Sequence, residues 1–220
     1  VCSVRCVYAT GTSNVITDSG TLAITGATTI SASGQDITLD EAASTFGTLA
    51  LTGSNVAVTE NAAMDLGAST IGGTANFNST SNVITDSGTL AITGATTINA
   101  GTADITLDQA ASTFGALALT GANVAVTENA ATDLAASTVS GTLGVTSTGA
   151  VTDSGTLAIT GATTISASGQ DITLDEAAST FGTLALTGAN VAVTENAATD
   201  LGASTVGGTL GITSTGAVTD

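Results

Sequence analysis

Apolar and polar residues alternate over short stretches along almost the whole chain. In residues 21–25 (TLAIT), Leu22 and Ile24 face one way while Thr21, Ala23 and Thr25 face the other. Residues 36–39 (DITL), 48–52 (TLALT) and 55–59 (NVAVT) follow the same pattern. A period of two marks strands with one buried face. Gly, Ser, Asn or Asp separates the stretches, and the Thr and Val within them favour extended backbone. Residues 40–46 (DEAASTF) have the length of a helical turn, but their place in a strand array predicts a corner.

The pattern itself repeats with a period of about 67 residues. TDSGTLAITGATTI occupies 17–30, 85–98 and 152–165, and NVAVTENAA occupies 55–63, 123–131 and 190–198. Copies this close point to an architecture that grows by stacking, not to one unique active site. After an atypical segment at 1–13, residues 14–220 read as one continuous array of repeats at approximately 18–85, 86–152 and 153–219.

A 67-residue unit is too long for one turn of a solenoid, so sub-periods matter. An acid closes an apolar strand at Asp86, Asp108 and Glu128, then at Asp153, Asp175 and Glu195. The steps of 22, 20 and 25 residues within this series each fit one coil of three strands and three corners. A rival marker, GTL, steps 27, 26 and 14 residues from Gly88, and the last step is too short for such a coil. The expectation is an all-β parallel β-helix (β-solenoid) of 20–26 residues per coil, three coils per repeat, about nine to ten coils and roughly 45 Å in all. Its core would be a column of Val, Leu, Ile and Ala with Phe46, Phe114 and Phe181. The absence of Pro suits continuous ladders. Gly, with Asn55, Asn123 and Asn190, is expected to supply left-handed corners. The fourth copy breaks off at Asp220 without an atypical capping repeat, which reads as a slice of a longer array or a subunit that stacks end to end on identical subunits.

Charge narrows the function. Eighteen acids against the single base Arg5 give a net charge of −17, with no Lys and no His. Nucleic acid and anionic membranes, which are met with Lys and Arg, are not expected partners. Hydrophobic residues at 42% against 9% charged argue for a buried core, not disorder. Cys2 and Cys6 read either as local thiols or as a terminal staple, and no His is present to activate a catalytic thiol. No signal-peptide h-region is evident. The uncharged stretch 42–59 is broken by Ser, Thr, Gly and Asn, so no membrane span is expected.

The acid series is the main candidate site. In register, Asp86, Asp108, Glu128, Asp153, Asp175 and Glu195 would stack about 5 Å apart, to be relieved by Ca²⁺ or simply solvated as a splayed row. No other cofactor is expected. Adjacent acids at Asp40–Glu41 and Asp175–Glu176 point opposite ways along a strand and cannot flank one glycosidic bond. With no His or Lys to complete a clamp, no enzyme is expected. Thr28–Thr29, Thr96–Thr97 and Thr163–Thr164 raise an ice-binding alternative, although one pair per three coils makes a sparse array. Met64 and Phe77 depart from Thr132 and Val145 in the next unit and read as packing drift.

The string DITLDEAASTFGTLALTGANVAVTENAATDLGASTVGGTLGITSTGAVTD at 171–220, and its near-copies over 14–220, resemble shaft repeats of filamentous-haemagglutinin-like bacterial adhesins secreted by the two-partner route. The resemblance implies a right-handed parallel β-helix on the bacterial cell surface or in a secreted matrix, and a structural shaft or filament as function. The alternative it leaves is a polysaccharide-binding module of a biofilm adhesin, with exopolysaccharide as partner. The family's secretion domain and binding modules are not in this sequence, so the resemblance implies neither transport nor ligand.

Overall fold

The alternating stretches form strands where the pattern puts them. Ala27–Ser31, Ile37–Leu39, Thr48–Gly53 and Val56–Thr59 turn Thr28, Ile30, Ile37, Leu39, Leu49, Leu51, Val56 and Val58 inward, all buried. Each strand is too short to be stable alone and gains its partners from the windings on either side. Ile37 pairs with Val56, Val56 with Ala75, Ala75 with Thr96 and Thr96 with Leu117, all in parallel. The computed structural model describes residues 6–10 and 15–220, and over these the chain is a parallel β-solenoid of about 11 turns with no helix. The expected pairing state of Cys2 and Cys6, and most of the atypical segment 1–13, lie outside the described residues.

The expected coil is corrected in two ways. Each turn takes about 19 residues, not 20–26. Its main strands build two facing walls, a 15-stranded and a 13-stranded sheet that the chain visits in alternation. Shorter strands, such as Ser69–Ile71 and Leu90–Ile92, branch off the main path of the first sheet, Ser69–Ile71 pairing with the end of Thr48–Gly53. Corners as short as the two residues Ser54 and Asn55 separate several of the strands, which keeps the winding near 19 residues.

The count of three coils per repeat also fails. Ala27–Ser31 and Thr163–Ser166 lie in the first sheet, while their equivalent Thr96–Asn99 lies in the second. Val56–Thr59 and Val191–Glu195 lie in the second, with Val124–Glu128 in the first. Every repeat therefore makes about three and a half turns, and alternate repeats present the same sequence on opposite walls. The Thr pairs are split accordingly. Thr28, Thr96 and Thr163 point into the core, while their outward neighbours Thr29 and Thr164 sit on one wall and Thr97 on the other.

The core is the expected apolar column. Phe46, Phe114 and Phe181 are buried in it, and Phe77 is stacked between Val58 and Ile98. Residues 40–46 form the predicted corner, closed by the Ser44 N–H donating to the Glu41 carbonyl at 2.8 Å. Gly34, Gly101 and Gly169 turn corners with φ of 75°, 57° and 78°, which Gly adopts without a Cβ penalty. At another corner the windings pass so closely that a Cβ on Gly115 would collide with the Gly94 carbonyl.

The corner asparagines work differently from the expectation. Among the described residues the only non-glycine positions with positive φ are Thr80 and Ser81, at 48° and 73°. They absorb the one extra residue of the first repeat. Asn55, Asn123 and Asn190 instead bridge three windings through their side chains. Asn55 Nδ2 donates to Asp36 Oδ1 at 2.9 Å, and Asn55 Oδ1 accepts from the Thr74 N–H at 3.0 Å. Asp104–Asn123–Thr142 and Asp171–Asn190–Thr209 repeat the arrangement.

Candidate functional site

Each repeat turns two acidic side chains inward at its corners. The first is the aspartate that closes the VITD or AVTD phrase. Asp86 and Asp153 are 6% and 8% exposed. The Asp108 N–H, one winding on, donates to Asp86 Oδ1 at 2.8 Å. The Asp175 and Glu176 N–H groups donate to Asp153 Oδ1 and Oδ2 at 2.8 and 3.4 Å. Burial pushes both aspartates up from their ordinary value. The backbone N–H groups pull them back, and the charge of Asp108 on one, or of Asp175 and Glu176 on the other, adds to the upward push.

The second acid is a glutamate that caps the next corner from inside. Glu60, Glu128 and Glu195 are 0%, 0% and 1% exposed. Each Oε1 accepts a phenylalanine N–H from the preceding turn: Phe46 at 2.6 Å, Phe114 at 2.7 Å and Phe181 at 2.8 Å. An N–H turned into an apolar corner would be costly unpaired, so the acid satisfies the one backbone donor that Phe insertion strands there. Ser44, Ser112 and Ser179 do the same for Leu22, Leu90 and Leu157, each at 3.0 Å.

The six acids do not form one ladder. Asp86, Asp108 and Glu128 belong to the first sheet and its edge; Asp153, Asp175 and Glu195 belong to the second. The step from Glu128 to Asp153 crosses the rod. Within each trio the contacts run from carboxylate to backbone N–H, and Asp108 and Asp175 turn their own carboxylates to solvent. Among the described residues no group of three or more His, Cys, Asp or Glu converges to hold a metal ion. Nor, among them, is any helix long and apolar enough to cross a membrane.

Sequence reading found the acids but not their direction. The inward role of Glu60, Glu128 and Glu195 was signalled by period two: each stands two residues after an inward Val, at Val58, Val126 and Val193.

No curated protein and no solved structure matches the chain. A family described as repeats of unknown function (DUF5649) matches residues 7–52, 53–120, 121–187 and 188–220. Each internal match spans one period, and their shared starting point, Gly53, Gly121 and Gly188, is the last residue of the strand Thr48–Gly53 and of its two equivalents. Since these matches together span residues 7–220, the chain belongs to the DUF5649 repeat family.

Proposed function

We propose that the chain is a structural shaft of an extracellular bacterial surface filament or adhesin, with no enzymatic activity. The observation that carries this reading is the pair of unbroken parallel walls, one running from Cys6–Thr10 to Val218–Thr219 and the other from Ile16–Thr17 to Leu210–Ser214. Stretching such a rod loads many backbone hydrogen bonds at once, and a net charge of −17 keeps rods hydrated and apart. The half-turn offset adds support: equivalent side chains of successive repeats lie on opposite walls, so the three copies do not line up as one continuous row. The resemblance to adhesin shafts supports the surface location.

Immunogold electron microscopy of the source cells tests the reading. Label on projections or fibres outside the envelope is the expected result. Label confined to the cell interior would overturn it. On purified rods, each added 67-residue repeat should lengthen the particle by about 17 Å, three and a half windings of ~4.8 Å.

A further inference from the structure

The three glutamate corners share a backbone but differ at one neighbour, four residues on. Thr199 stands beside Glu195, and its hydroxyl donates to Glu195 Oε2 at 2.8 Å. Thr132 stands beside Glu128, and its hydroxyl draws that acid's pKa down against the larger upward push of burial, although the two miss hydrogen-bond geometry. In the first repeat the same inward position is Met64, fully buried and without a hydroxyl. Glu60 Oε2 is buried with no partner and no hydroxyl four residues on to turn toward it, whereas the equally unpaired Glu128 Oε2 still has Thr132 beside it.

Among the described residues the surroundings offer no cation. The titratable side chains on the windings packed around this corner are carboxylates: Asp40 and Glu41 on the preceding turn, Asp65 on the strand that follows, and Asp86 on the next turn. The chain has no Lys or His, and Arg5 lies outside the described residues. Ser79, on the following winding, is occupied with the Asn82 carbonyl.

We propose that the Glu60–Met64 corner is a proton-responsive joint, held most firmly when Glu60 is a neutral acid and loosened when it ionises. One Glu60 oxygen keeps the Phe46 N–H in either state. The other, once charged, faces an apolar wall. Burial lifts the Glu60 pKa from 4.5 to about 7, against the smaller opposing effect of the Phe46 N–H. The first repeat thus firms in mildly acidic surroundings and slackens above neutrality, whatever surface the rod stands on.

The test is a pH titration of the full chain carrying ¹³C-carboxyl glutamate, which gives five resonances. The Glu60 signal, assigned by its loss in Glu60→Gln, should titrate near 7. Met64→Thr restores the residue that the other repeats tolerate and should lower that midpoint by about one unit or more. Thr132→Met should raise the midpoint of Glu128, which keeps the inference testable if Met64→Thr fails to fold. A Glu60 midpoint in the ordinary glutamate range, or one unmoved by Met64→Thr, would overturn the proposal. So would an unmoved Glu128 midpoint in Thr132→Met.

Discussion

The Glu60 and Glu195 corners are the same turn of backbone with different hydrogen bonding at one carboxyl oxygen. Both glutamates are buried, and both accept a phenylalanine N–H. Glu195 has a second donor in Thr199, whereas Glu60 has Met64 in that place. Between these two corners the side chain four residues on supplies or withholds the second donor, and the Glu128 corner shows that a threonine there helps only where its hydroxyl comes within hydrogen-bond reach. A buried acid is costly only in proportion to the oxygens left unpaired.

The two corners should part most clearly when the glutamate itself is removed. Glu195→Ala strands the Phe181 N–H and the Thr199 hydroxyl together in an apolar corner. It should cost about 3 kcal/mol or more in denaturant unfolding. A cost under ~1 kcal/mol would mean that water reaches the corner and that the strut is dispensable.

The pH dependence comes next. Glu60 carries a folded-state pKa of about 7 against 4.5 in a solvated chain. The folded state therefore binds the proton more tightly. Its contribution is fully present below pH 4.5 and is lost as pH rises to about 7. The span is of order 3 kcal/mol. Asp86 and Asp153, also raised by burial, add to the trend in the same direction. Melting curves at pH 5 and pH 8 should show lower stability at the higher pH, and Glu60→Gln should narrow that gap. An unchanged gap would assign the pH dependence to general charge repulsion.

Smaller effects sharpen the contrast. Thr199→Val leaves Glu195 Oε2 buried without its donor and should cost roughly 1–3 kcal/mol. Met64→Val, with no hydroxyl to lose, should show only a packing change, about 1 kcal/mol. Asn123→Ala cuts the exposed Asp104–Asn123–Thr142 bridge and should cost about 1 kcal/mol, because water replaces the lost partners there. Chemical denaturation of each variant at one fixed pH ranks all three.

Burial itself depends on stacking. Leu143 is 2% exposed between windings, while its equivalent Leu210, on the last described winding, is 47% exposed. The residue type is the same; the difference is the neighbouring coil. This dependence explains why some of the molecule was legible in the sequence and some was not. Strand positions at residues 27–31, 37–39 and 48–53 follow from period two, a local property. So does the inward direction of Glu60 and Glu195. The register did not follow, because the acid series mixed an aspartate and a glutamate that occupy different corners. Its step from Glu128 to Asp153 has the length expected of one winding, yet it crosses to the opposite wall. Met64 looked like packing drift, since only the fold places residue i+4 across a corner from Glu60.

By itself the sequence determined the all-β solenoid, the 67-residue period and the apolar identity of the core, because side-chain alternation and copy number are written residue by residue. The number of windings per repeat, the alternation of walls and the pairing of each buried acid were decided only by the tertiary structure. Those properties depend on how tightly each corner turns and on which residues the winding above and below brings into reach.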